Sequence, residues 1–323
     1  MTMKAMMRER YGSPAVIESR EVDMPKPEDE EVLVRVRAAS VNRFDWYSLT
    51  GTPWIARPMT GLRGPKSSLF GADFAGTIES VGAAVTDLQA GDEVYGCRDG
   101  AYAEFVQAKA GVALKPANLT FEEAACVPMA GLTALQGLRD HGKLETGQHV
   151  LVNGASGGVG TFAVQIAKAL GAEVTAVCST RNVELARSLG ADHVIDYTRE
   201  DFTRGEARFD VVLDIAGSRS WRELKRVLQP EARVIPIGGP KKNRLLGPLP
   251  HMAGTRLKAI RSSRTVMFFV AKITREDLNA LRELIEDGKV KPVVEKRFAL
   301  SELPEALRLM GEGHARGKLV ISV

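Results

Sequence analysis

The sequence predicts an α/β protein built from a β-rich part and a doubly wound parallel sheet. Three observations carry this expectation. Up to about residue 120, short apolar runs are broken every few residues by Gly, Pro or Asp, as in a compact barrel or sandwich. From residue 149 onward, apolar runs alternate with helical patterns, which is how a parallel sheet with helices on both faces reads. At the junction of the first such run and its helix stands the segment 153–160, NGASGGVG, a turn almost stripped of side chains.

In chain order, EVLVRVRAASV (31–41) begins as an alternating strand, and FAGTIESVG (74–82) and GDEVYG (91–96) are short strands bounded by turn residues. HVLVNG is a buried strand, and TFAVQIAKALG follows as a helix with Phe162, Ile166 and Ala169/Leu170 on one face and Gly171 as its stop. EVTAVCS, HVIDY, FDVVLDIAG, ARVIPIGG and TVMFFVA are the later strands of this part, with helices VELARSLG and WRELKRVLQP between them. Two amphipathic helices come next, one grouping Leu278, Leu281 and Ile285, the other Leu303, Leu307 and Met310, with strands KPVVEKRF and KLVISV beside them. The basic, weakly patterned segment 240–264 reads as a long surface loop.

At 323 residues the chain is long for one core. Its 44% hydrophobic and 26% charged residues are ordinary for a soluble enzyme. A net charge of +4 gives no reason to invoke nucleic acid, although it favours an anionic ligand. The N-terminus is charged early and lacks a secretory apolar core, and the stretch around Ala124–Leu135 is too short for stable membrane insertion. Three scattered cysteines, Cys97, Cys126 and Cys178, fit a reducing, cytoplasmic setting and no disulfide framework.

Ala155-Ser156-Gly157-Gly158-Val159-Gly160 is an A-x-G-x-x-G variant of the dinucleotide fingerprint, after a strand and opening a helix. Gly157 would let a pyrophosphate approach the helix N-terminus, and Gly160 would let the helix pack on the strand. A site for NAD usually has an acid at the end of the next strand. Here that strand ends Cys178-Ser179-Thr180-Arg181, with hydroxyls and a guanidinium suited to a 2′-phosphate, so NADPH is the expected cofactor.

The chain resembles the medium-chain dehydrogenase/reductase superfamily, in its zinc-free quinone oxidoreductase branch, and is most similar there to bacterial relatives of the mitochondrial reticulon-interacting reductase. The resemblance spans essentially the whole length. It rests on AASVNRFDWYSLTG (38–51), FGADFAGTIESVG (70–82), AGDEVYG (90–96), AGLTAL (130–135), VLVNGASGGVG (150–160), LGADHVIDY (189–197) and GKLVISV (317–323). It implies a GroES-like catalytic domain (1–123 and 272–323) enclosing a Rossmann NADPH-binding domain (124–271).

The resemblance also implies roles for single residues. Alcohol dehydrogenases of this superfamily hold catalytic zinc at three positions where this chain has Asn42, Ala72-Asp73 and Met129, none a strong zinc-ligand set, so no metal is expected. Asn42 and Tyr47 are implied at the pocket where nicotinamide and substrate meet, Asn42 as polar orienter and cofactor contact, Tyr47 as donor to the substrate oxygen or relay to water. Asp45 is expected to hold the loop. Thr133, Tyr197, Ile237-Gly238 and Phe268-Phe269 match cofactor-contacting positions, and His314, Arg316 and Lys318 form a basic cluster expected near the phosphates. Thr52-Pro53-Trp54 departs from the family's usual pocket aromatic, so substrate preference does not carry over.

The expected activity is hydride transfer from NADPH to a quinone or α,β-unsaturated carbonyl, whose developing charge needs only hydrogen-bond donors. Two alternatives stay open in the sequence: an enoyl-thioester reductase, and an NADPH-binding sensor with little turnover. A homodimer is expected by analogy with related proteins.

Overall fold

The computed structural model describes residues 1–323 apart from 110, 240–244, 248, 261 and 314, and gives only the backbone of residue 252. The chain divides into two units, Met1–Leu132 with Lys272–Gly288 and Pro292–Val323, and Thr133–Ala271 with Lys289–Lys291.

The first unit opens with an antiparallel pair, β1 (Thr2–Met7) and β2 (Glu18–Asp23). β3 (Val32–Val41) is buried at Val32, Leu33 and Val34, has buried Val36 between exposed Arg35 and Arg37, and is buried on both faces from Ala38 onward. α1 (Arg43–Thr50) and the short α2 (Arg57–Thr60) precede β4 (Asp73–Val81), β5 (Glu93–Cys97), β6 (Phe105–Ala108) and β7 (Val112–Leu114). α3 (Phe121–Ala125) is capped by a reciprocal Thr120–Glu123 box, and α4 is Pro128–Gln136.

The second unit is a six-stranded sheet in the order β10-β9-β8-β11-β12-β13, every pair parallel. Its elements run β8 (His149–Asn153), α5 (Gly158–Ala169), β9 (Glu173–Cys178), α6 (Val183–Ser188) and β10 (His193–Asp196). Then come β11 (Phe209–Asp214), α7 (Trp221–Leu224), β12 (Leu228–Pro236), α8 (Leu249–Ala259) and β13 (Thr265–Val266). The strand order reverses between β8 and β11, so the carboxyl ends of these two strands form the switch point where ligands bind in such sheets. The chain returns to the first unit through α9 (Arg275–Glu286), β14 (Val294–Ala299), α10 (Leu303–Glu312) and β15 (Lys318–Ser322).

The expected helix faces of α9 (Leu278, Leu281, Ile285) and α10 (Leu303, Leu307, Met310) are the buried ones. Other elements differ from the expectation. Gly160 to Ala167 of α5 are all buried, not just one face, and Gln165 spends its amide on the Lys291 carbonyl (3.0 Å). Segment 249–259, expected as loop, is helical. Only Thr255 and Ala259 of its described side chains are buried, so it carries no apolar stripe by which a sequence reveals a helix. TVMFFVA contributes just the two residues of β13.

In the first unit the seven-stranded sheet runs β14-β15-β3-β4-β5-β7, with β6 also on β3. Its register aligns Val320 with Ser40, Ser40 with Asp73 and Asp73 with Cys97. In this row Ser40 and Asp73 are buried polar residues, while their strand neighbours Ala39, Val41 and Phe74 belong to the apolar core of the unit, with Val34, Val36, Val94, Leu303 and Leu307. Phe74 is fully buried there. Phe74→Ala is expected to lose about 3–5 kcal/mol of stability, read as a lower urea midpoint.

Candidate active site

In the second unit the glycine turn follows β8 at the switch point. Gly154 and Ala155 donate their N–H groups to the Val177 carbonyl, each at 3.1 Å. Gly157 caps α5, and Gly158 and Val159 form its first turn. The glycines differ in their surroundings. A Cβ on Gly160 would stand 2.2 Å from the Gly154 carbonyl, so backbone packing alone demands glycine. A Cβ on Gly157 would meet nothing nearer than 3.7 Å, so the protein's own packing leaves its lack of a side chain unexplained. An open glycine at a helix N-terminus suits a phosphate approaching the backbone.

Beside the turn, Asn182 donates to the Ser156 hydroxyl (2.9 Å) and the Ser179 hydroxyl (3.2 Å), tying the turn to the end of β9. The Asn182 Oδ1 is buried without a hydrogen-bond partner among the described residues, an acceptor left over for a ligand hydroxyl. Arg181 and Thr180 are exposed and Ser179 is half-buried. Tyr197 is exposed, its N–H bonded to the Cys178 carbonyl (3.0 Å). An acid that motif reading passed over, Asp196, arrives at this corner from β10. Its carboxylate accepts from the Thr180 hydroxyl (2.5 Å) and from the Thr198 hydroxyl (2.7 Å) and N–H (3.0 Å), and the Thr180 bond leads the causes that hold its pKa low. Only the sheet pairing of β10 with β9 reveals it.

At the switch point itself Asn153 donates to Asp214 (2.7 Å), which also accepts the Gly217 N–H (2.9 Å), and burial pushes the Asp214 carboxyl up. Ile237 and Gly238 follow β12 with their N–H groups on the Asp214 carbonyl. Phe269 stacks on His141 with ring centroids 4.3 Å apart, and Phe268 packs against the apolar core of this unit. Thr133 is half-buried in α4.

In the first unit Asn42, Asp45, Asp73 and Lys318 form one buried polar cluster. Asn42 opens α1, and its N–H is held by the Asp45 carboxylate (2.7 Å). Its amide donates to Asp73 Oδ2 (2.9 Å) and accepts from Lys318 Nζ. Asp73 further receives the Ser40 hydroxyl (3.2 Å) and the Met129 N–H (3.0 Å), and lies 3.4 Å from Lys318 Nζ. Burial pushes the Asp45 carboxyl up to about 7; the Asn42 N–H opposes the shift, and the negative charge of Asp73 adds to it. Burial, with Asp73 and Asp45 close by, also drives the Cys97 thiol well up. Tyr47, one turn further along α1, is half-buried.

The basic cluster expected at 314–318 does not form as one surface. Lys318 is buried with its amine on Asn42 and Asp73, because β15 pairs with β3 so that Leu319 faces Val41. Arg316 is exposed, its N–H on Glu295 (2.6 Å), and His314 lies outside the described residues.

An amide and one carboxylate, with an ammonium between them and the Met129 backbone N–H closing on the carboxylate, are a poor donor set for zinc. Among the described residues no three His, Cys, Asp or Glu are grouped to hold a metal ion. No helix of the described residues is long and apolar enough to cross a membrane.

Two family models match the chain, "Alcohol dehydrogenase GroES-like domain" over residues 28–137 and "Zinc-binding dehydrogenase" over residues 189–321. It is 32% identical to the chloroplastic quinone-oxidoreductase QR1 of Triphysaria versicolor, over 99% of this chain and 98% of that one. It is 35% identical to the mitochondrial NAD(P)H oxidoreductase RTN4IP1 of Bos taurus, over 99% of this chain and 89% of that one. The solved quinone oxidoreductase from Coxiella burnetii matches all of both chains at 29% identity, with a TM-score of 0.88. The chain therefore belongs to the medium-chain dehydrogenase/reductase superfamily. Within it, the chain is an oxidoreductase of the branch that holds these quinone and NAD(P)H oxidoreductases.

Gly160→Ala is expected to cost about 1–3 kcal/mol or more in stability by overpacking, whereas Gly157→Ala leaves the melting temperature near wild type and weakens nicotinamide dinucleotide binding; calorimetry and titration separate the two. For Asp45, the folded carboxyl keeps its proton up to about 7 whereas the unfolded one loses it near 3.8. Between these values the folded state binds more protons, so this group's contribution to stability falls as pH rises and is lowest above about 7. Asp45→Asn has no such proton to lose. The urea midpoint of wild type minus that of the variant is expected to drop between pH 5 and pH 8, and a constant difference would refute the shift.

Proposed function

We propose that the chain is a zinc-independent reductase that uses NADPH to reduce quinones or α,β-unsaturated carbonyls. What supports the reading is that one chain carries both an open dinucleotide turn, at Gly157 in the second unit, and a polar cluster, in the first, whose donors do not suit zinc. Without a strong Lewis acid, hydride acceptors that spread charge are the natural substrates, because hydrogen-bond donors suffice to stabilise the product anion. Bound NADPH supplies the hydride. The residues of the chain bind, orient and protonate around it.

The Gly157–Gly160 backbone receives the pyrophosphate, and the Asn182 Oδ1 accepts a ribose hydroxyl. Ser179, Thr180 and Arg181 receive the 2′-phosphate, and the three donors already on Asp196 reduce its repulsion of that anion. Tyr197, Thr133, Ile237, Gly238, Phe268 and Phe269 complete the cofactor surface. Asn42 orients, and Tyr47 donates a proton to the product oxygen or relays it from water. Exposed Arg256 and Lys258 on α8 keep an enoyl-thioester substrate, with its anionic carrier, as the second reading.

We further infer a homodimer joined at the β13 edge, where Met267 and Val270 are exposed, and a cytoplasmic protein, in keeping with three free cysteines. Light scattering that gives a monomer would refute the dimer, and fractionation with membranes would refute the location.

The test is NADPH oxidation with 1,4-benzoquinone, 9,10-phenanthrenequinone, a simple enone and crotonyl thioester. Turnover on a quinone or enone is expected, with the thioester arm deciding the second reading. Arg181→Ala is expected to raise the KM for NADPH by about 10–100-fold through a lost charged hydrogen bond, with little change for NADH. Equal use of both nucleotides by wild type would overturn the cofactor assignment. Tyr47→Phe is expected to lower kcat by about 100-fold if Tyr47 is the donor, and an unchanged kcat would assign the proton to water.

A further inference from the structure

Lys318 and Asp73 have side chains 3% and 0% exposed, which is a costly place for either charge alone. They stand where three segments meet. The Asn42 amide lies between the Asp73 carboxylate and the Lys318 amine, and the Met129 backbone N–H closes on the same carboxylate. We propose that the Lys318 ammonium is the resident counter-cation of this buried carboxylate, and that through Asn42 it is a positioning residue for the reaction.

The amide geometry supports the second part. Asn42 gives its Nδ2 to Asp73 and its Oδ1 to Lys318. Turning the amide over would set its N–H against the ammonium and its oxygen against the carboxylate. One lysine therefore fixes the orientation of the residue that opens α1, the helix carrying Tyr47. Arginine would not replace it, since a planar fork fills a different volume from a point charge. The positioning clause rests on the reductase reading; the counter-cation clause does not.

The test compares wild type, Lys318→Met, Asp73→Asn and the double variant. Each single change leaves a buried charge or its partner unmatched, and the melting temperature is expected to fall by about 5–10 °C. The double variant removes both charges and is expected to recover most of that loss, which keeps the comparison readable should a single variant fail to fold. Its kcat is expected to stay about tenfold below wild type with NADPH affinity unchanged. A Lys318→Met protein that melts with wild type would overturn the counter-cation. A double variant that recovers kcat together with its melting temperature would overturn the positioning role. Melting is read without turnover, so a wild type that reduces no acceptor would sink the reductase reading and the positioning clause, and leave the thermal comparison to decide the counter-cation.

Discussion

The first unit is organised around one buried carboxylate. Asp73, at the start of β4, has no exposure to water and must find its solvation inside the protein. It draws the Ser40 hydroxyl from β3, the Asn42 amide from the cap of α1, the Met129 N–H from α4 and the Lys318 ammonium from β15. Three stretches far apart in sequence, at 40–42, Met129 and Lys318, are thereby held to one oxygen pair. The same interaction sets the electrostatics of its neighbours: a second carboxyl, Asp45, is buried close by and its ionisation is disfavoured by burial and by Asp73, though Lys318 and the Asn42 N–H oppose this.

The second unit depends on backbone access. Its glycines do separate work. Gly160 lets α5 close on the Gly154 carbonyl, and Gly157 is open where a phosphate would come. The Asn153–Asp214 pair bridges the carboxyl ends of β8 and β11, where the strand order reverses, and so braces the turn from behind. Asn182 then links turn and neighbouring strand through two serines. Cofactor recognition on such a surface comes from main chain and small polar groups, which leaves the reacting chemistry to the nicotinamide and a few donors. That division of labour suits acceptors that delocalise charge.

Much of this was legible in the sequence because local pattern carries it. The A-x-G-x-x-G turn, the strand–helix alternation and the helical stripes at Leu278 and Leu303 all express short-range periodicity. The departures share another cause. Lys318 follows a glycine and sits in a basic stretch, so it reads as a solvated cation, and only the pairing of β15 with β3 buries it against Asn42, 276 positions away. Asp196 belongs to a different strand from the one that conventionally reads the ribose, so the motif passes over it. Helix α8 buries just Thr255 and Ala259 among its described side chains, too little to set a period. Non-local register and partial burial are the features that a linear pattern does not encode.

Direct hydride transfer from NADPH to a charge-delocalising acceptor, without metal, is the reaction proposed for this chain. Its most direct test is a single turnover with NADPH deuterated at the transferred C4 position and a simple enone, with the metal content of the same enzyme sample counted. The expected product is saturated ketone carrying one deuterium at the former β-carbon, formed by enzyme holding no stoichiometric zinc. Product without the label, or activity that follows bound zinc and is lost to a chelator, would contradict it.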